Sequence, residues 1–147
     1  MATATRTDPF IGNRFRLEIS GIQIAGFSEV TIPDLSIAEV DYREGTDAGT
    51  RKLSGQSSVG TLTLKRGQTS STELYDWFTD IMASGALLNL RKSISVVLVD
   101  PAGIEKARWN CTKAWPSKYE SGALDAKGSE VLIETLEIQV EGMTRSQ

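Results

Sequence analysis

Phe15, Leu17 and Ile19 alternate with Arg16, Glu18 and Ser20, the two-residue period of a strand with one wet face. Gly21 predicts a turn into Ile22–Phe27, so the chain opens on a hairpin. Pro33 interrupts the pattern, and Leu35–Tyr42 resumes it as a strand of mixed polarity. From Arg43 to Ser58 neither period holds. This stretch predicts a long polar loop or extended arm at about 43–58, a length that compact domains keep for a purpose. Val59–Lys65 then sets Gly60, Leu62 and Leu64 on one face and Thr61, Thr63 and Lys65 on the other.

The period next changes to that of a helix. Ser70 and Glu73 have capping-box spacing, and Leu74, Trp77, Phe78, Ile81 and Met82 recur as one apolar stripe. Gly85 suits the left-handed stop, which predicts a helix over about 71–84. Ser93–Val99 is β-branched, and Asp100-Pro101-Ala102-Gly103 is a turn. Glu105–Trp115 reads as a strand with Trp109, Cys111, Lys113 and Trp115 on one face. Pro116 has no amide hydrogen and belongs at an edge, a bulge or the strand end. Ser121–Gly128 reads as loop. Val131–Glu141 closes as a strand whose even positions are apolar apart from Glu134. The expected fold is mainly β: an antiparallel barrel or sandwich of about seven strands with one flanking α-helix.

With 147 residues, 39% hydrophobic and 24% charged, the chain supplies one core, so residues 1–147 are expected to form one domain. A net charge of −3 excludes a basic footprint for gripping nucleic acid. No apolar run nears the roughly 18 residues of a membrane helix, and Met1–Asp8 lacks a signal-like apolar stretch. The single cysteine, Cys111, excludes an internal disulfide, so synthesis in the cytoplasm is expected.

Chemistry is sparse. There is no histidine, which removes Ser-His-Asp and Cys-His nucleophiles and the commonest zinc ligand. Cys111 between tryptophans reads as a buried structural thiol. The glycine runs at 45–49 and 55–60 lack a phosphate-loop ending and nucleophile-elbow spacing. Glu39, Asp41, Glu134 and Glu137 read as solvated strand faces. Glu73, Asp76 and Asp80 on the helix's polar side disfavour an anionic membrane. No enzyme activity, catalytic residue, cofactor or metal site is expected. What the pattern leaves over is the polar arm and a set of half-polar sheet faces with edges that need pairing.

Three groups of residues carry a resemblance. One is Tyr42-Arg43-Glu44-Gly45, Thr50–Gly55 and Gly60–Gly67. Another runs from Asp8-Pro9-Phe10 through Phe15–Ile19 to Ala25–Val30. The last is Ala114–Tyr119, then Ser129–Val131 through Ile133–Glu137 to Glu141-Gly142-Met143. In order and spacing over about 8–143 they resemble the tail-tube (inner tube) protein family of contractile phages and extracellular contractile injection systems. The chain departs from that pattern at Ser129, often asparagine, and at Gln139-Val140, where the family often has a histidine.

The resemblance implies hexameric rings, stacked inside a contractile sheath, whose strands close one large shared barrel around a lumen. Self, sheath protein and baseplate are the implied partners, with a cargo effector or DNA in the lumen. The implied particle is a phage tail or phage tail-like device, released outside the cell in some branches. At about four strands per subunit a ring holds roughly 24, and at about 4.8 Å spacing and about 45° tilt the bore is near 40 Å. The arm is implied to contact neighbouring subunits, with Arg43, Glu44, Asp47, Arg51 and Lys52 as candidates. Thr61, Thr63 and Lys65 are the lumen-facing candidates. Two rivals stay open: a related baseplate or tube-initiating component, and a monomeric β-sandwich binding module lined by Trp77, Trp109 and Trp115.

Overall fold

Alternating strands with one apolar face must bury that face, and here one sheet does so by folding over on itself. The structure, a computed structural model, describes residues 12, 14–20, 22–24, 26–46, 48–68, 70, 72–85 and 90–146, with 22–24 described by backbone alone. Among the described residues ten strands and one helix follow in order: β1 (Phe15–Ile19), β2 (Ile22–Ile24), β3 (Phe27–Thr31), β4 (Leu35–Tyr42), β5 (Arg51–Val59), β6 (Thr61–Gly67), α1 (Glu73–Ser84), β7 (Lys92–Val99), β8 (Glu105–Glu120), β9 (Ile133–Gln139) and β10 (Gly142–Ser146). Eight strands form one antiparallel sheet in the order β2-β1-β7-β8-β9-β6-β3, with β10 also paired to β8. β4 and β5 form a separate two-stranded ribbon.

The fold turns on β8. Its first part pairs with β7 and β10, ending at Lys92 opposite Ala114. Its last part, Trp115–Glu120, pairs with β9. Between them Lys113 takes φ 51°, a left-handed conformation costly for a residue with a Cβ. The partner strand breaks at the same level, between β9 and β10. This bend divides the sheet into a first half (β2-β1-β7-β8-β10) and a second half (β8-β9-β6-β3). Their apolar faces meet. Leu17, Ile19, Ile94, Val96 and Cys111 from one half pack with Leu62, Leu64, Leu136 and Ile138 from the other, and Leu74 and Trp77 of α1 complete the core. The Trp77 indole N–H donates to the Leu90 carbonyl at 2.8 Å, which satisfies a polar group that burial would otherwise penalise.

A charge lies in that core. Arg66 and Glu134 are 4% and 2% exposed and form an ion pair across β6 and β9. Tyr119 donates its hydroxyl to the other Glu134 oxygen at 2.6 Å. Glu73 lies 3.7 Å from Arg66, and Arg66 stacks over the Phe27 ring. Buried charges persist only when paired and hydrogen-bonded, and this cluster ties four strands to the helix.

Several expectations are corrected. Glu134, expected on a solvated face, is buried because Arg66 comes to meet it from 68 residues away. Lys113 and Trp115 do not share a face with Cys111: the bend flips the alternation, and Ala114 and Pro116 are buried instead. Pro116 sits at a bulge, one of the three places expected for it. The stretch 43–58, expected as a polar loop or extended arm, is half strand, since Arg51–Val59 pairs with Leu35–Tyr42. Gly60 is a junction rather than a strand residue; an added Cβ would overlap the Asp34 carboxylate. The second arm of the opening hairpin splits at Gly26 (φ 92°) into β2 and β3. α1 begins after Thr72 with no side-chain cap, and Glu73 turns to Arg66 rather than back to Ser70. Gly85 ends it at φ 63°, as expected. Of the helix stripe, Met82 is exposed.

On the outer face of the first half, Arg108 donates to Glu18 at 3.0 Å and to Glu105 at 2.7 Å. The stems of Arg16 and Arg108 flank Val97, which is fully buried although it faces outward. The hydrogen bond from Arg108 is the main reason that the Glu18 carboxyl titrates below its ordinary range.

Leu136→Ala should cost about 2–5 kcal/mol in a urea melt, while Leu53→Ala on the exposed ribbon should fall within about 0.5 kcal/mol. Because the folded-state pKa of Glu18 is depressed, its contribution is present above the unfolded value near about 4.3 and is lost as pH falls through the folded one. Arg108→Gln should therefore flatten the decline in stability below about pH 4, read from melting temperature against pH.

Candidate assembly surfaces

Burying one face of the second half leaves the other exposed, and apart from Trp115 its residues are polar. On β6 the alternation buries Leu62, Leu64 and Arg66 and turns Thr61, Thr63 and Lys65 outward. β9 does the same, burying Glu134, Leu136 and Ile138. Pairing sets these residues in rows across four strands. One row is Glu29, Lys65, Thr135 and Glu120; the next is Thr31, Thr63, Glu137 and Lys118; a third is Thr61, Gln139 and Trp115. Gln139 donates to Thr61 at 3.3 Å and to Ser117 at 3.1 Å, which pins the third row. The three lumen candidates thus lie side by side on the outward face of a central strand. Among the described residues the face holds three carboxylates and two ammonium groups, interleaved with hydroxyls and one amide.

This half has two free edges. Among the described residues β3 pairs only with β6, and β8 beyond Ala114 has β9 on one side and no strand on the other. Edges of this kind are templates for another chain.

The third surface is the β4–β5 ribbon. It continues the β3–β6 hairpin past a pivot where the Gly60 N–H donates to the Asp34 carbonyl at 2.7 Å. Every residue from Leu35 to Tyr42 is exposed. The cross-strand pairs are Val40 with Leu53, Asp41 with Lys52 and Tyr42 with Arg51. Leu35 and Ile37, at 63% and 64% exposed, leave apolar surface at its base. Of the arm candidates, Arg51 and Lys52 are strand residues, and Arg43 and Glu44 begin the tip. Asp47 lies outside the described residues. Lys52 bridges to Glu39 at 3.2 Å, and the Tyr42 hydroxyl donates to Glu44 at 2.9 Å. The exposed apolar residues Leu35, Ile37, Val40 and Leu53 were missed as contact candidates; their presence in a stretch with no buried face was the available signal.

The same geometry weakens the binding-module rival. Trp77 is in the core, and the bend puts Trp109 and Trp115 on opposite sides of β8, so the three form no platform. Burial raises the Cys111 thiol to about 11, out of the range of a nucleophile. Among the described residues no cluster of His, Cys, Asp or Glu suits a metal ion, and no helix is long and apolar enough to cross a membrane.

Comparison with known proteins agrees with this architecture. The family model for the T4-like virus tail tube protein gp19 matches residues 12–144. No curated protein sequence is a significant match. Among solved structures, the fold is similar to that of the anti-feeding prophage cap, a tube-terminating cap, with TM-score 0.88 and 22% identity over 99% of this chain and 96% of that one. It is also similar to a chain of the sheath–tube complex of the PVC extracellular contractile injection system in its extended state (TM-score 0.82, 27% identity, 94% and 91% covered). A chain of the sheath/tube terminator of the same system matches with TM-score 0.82 and 25% identity, over 97% of this chain and all of the other. The family is one of structural tube subunits, not of enzymes. With nearly its whole length matched, the chain belongs to the T4-like virus tail tube protein family.

Proposed function

We propose that the chain forms hexameric rings that stack into the inner tube of a contractile particle, with the polar face of the second half as the lumen wall. The observation that carries this is the four-stranded polar face itself. Six such faces joined edge to edge supply about 24 strands and a bore near 40 Å, wide enough for duplex DNA or a small folded effector. A wall of threonines and interleaved charges of both signs offers a passing cargo little to hold, which suits a passive conduit. Sheath and baseplate are the outer partners, in keeping with the sheath–tube relatives.

The ribbon is the contact to the next ring. Nine residues at about 3.3 Å each carry β5 roughly 30 Å beyond the sheet, far enough to reach a stacked neighbour. Arg43, Glu44, Asp47, Arg51 and Lys52 supply both charge signs for that contact, and Leu35 and Ile37 supply apolar area. A head-to-tail contact of this kind does not close on itself, so it generates a filament.

Replacing residues 36–58 with an Asn-Gly turn should leave the melting temperature within a few degrees and yield rings without tubes in negative-stain electron microscopy. Tubes of normal length from that variant would remove the ribbon from stacking. A second test concerns the wall. Thr63→Cys should react with an antibody-sized maleimide conjugate in the monomer and be shielded in tubes, while Asp80→Cys on the exposed side of α1 stays reactive in both. Equal reactivity of Thr63→Cys in monomer and tube would place the lumen elsewhere.

A further inference from the structure

The two free edges of the second half differ in direction, length and charge in ways that specify how they meet. β3 is antiparallel to β6, β6 to β9 and β9 to β8, so β3 and β8 run in opposite directions. In a ring every subunit points the same way along the axis, and β8 of one copy therefore meets β3 of the next antiparallel. An odd number of strands would have forced a parallel seam, which is less stable per residue. The free stretches are also similar in length: β3 has five residues, and β8 beyond Ala114 has six, Trp115 to Glu120.

We propose that neighbouring copies join by antiparallel pairing of β8 with β3, in the register that sets Lys118 opposite Glu29 of the next copy. This rests on the ring reading and names the seam that closes it. Both side chains point to the polar face, and each has only a loose partner within its own chain. Glu29 is 59% exposed and 3.8 Å from Lys65; Lys118 is 60% exposed and 3.9 Å from Glu120. The seam places Glu29 between Lys65 of its own chain and Lys118 of the neighbour. Outward positions recur every two residues, so the competing register puts Glu120 opposite Glu29. Like charges directly opposite destabilise a strand pair, whereas opposite charges stabilise it. The register is thereby chosen by charge.

The test uses the Glu29→Cys/Lys118→Cys double variant. Within one chain these positions are separated by three strand spacings, about 14 Å, beyond the reach of a disulfide, and Cys111 is buried. Any new disulfide therefore joins two chains. Rings verified by electron microscopy, then oxidised, should run on a non-reducing denaturing gel as a ladder reaching about six chains. Rings that dissolve into monomers after oxidation would overturn the seam while leaving the ring reading intact. Absence of rings from the unaltered protein would instead overturn the ring reading and the seam with it. A charge exchange gives an independent measure. E29K and K118E should each lower ring yield about tenfold, and the E29K/K118E double should recover most of it. Singles that assemble normally, or a double no better than either single, would contradict the pairing.

Discussion

The bend in β8 at Lys113 is the constraint on which the rest depends. A flat eight-stranded sheet of this sequence would leave its apolar face in water. By taking a left-handed conformation at one residue, where β9 gives way to β10 alongside, the sheet closes over itself and buries Leu17, Ile94, Leu62, Leu64, Leu136 and Ile138 together. The strain at one non-glycine residue is small beside the area removed from water. The bend also sets which side chains the second half exposes. It turns the faces of the second half so that threonines, lysines and glutamates point outward, and it frees β8 beyond Ala114 from β7 to become an edge.

Polar and apolar demands are thus separated by strand. The first half and α1 serve the core, and Arg16, Glu18, Glu105 and Arg108 form an ionic cover on their outer side. The second half serves both: its inner face holds the buried Arg66–Glu134 pair and its outer face the interleaved rows. One buried ion pair and the Tyr119 hydroxyl tie strands β6, β9 and β8 of that half together. The ribbon carries no such anchoring. Its residues are exposed from Leu35 to Tyr42 and from Arg51 to Ser58.

What was legible in the sequence followed the strength of periodicity. β1, β6, β7 and β9, together with α1 and its Gly85 stop, were readable because each has buried positions or a clear terminator, while β4, exposed throughout, was readable only as a stretch of mixed polarity resuming after Pro33. Thr61, Thr63 and Lys65 were placed on the correct side of β6 by alternation alone. β5 was not readable because Arg51–Ser58 is exposed on both faces, so no period marks it. β10 is short and almost as exposed. Lys113 and Trp115 were put on the wrong face because a single positive φ leaves no trace in a hydropathy pattern. Glu134 was read as solvated because its partner Arg66 is distant in sequence, and only topology brings the two together.

The central claim is that the polar face of the β8-β9-β6-β3 half lines a channel. Its most direct measurement is a cryo-electron microscopy reconstruction of the purified protein assembled at high concentration. The account requires a six-fold ring whose inner wall is a continuous antiparallel barrel of about 24 strands, with Thr61, Thr63 and Lys65 facing a bore near 40 Å. A channel lined instead by Arg16, Glu18 and Arg108 of the first half would contradict it.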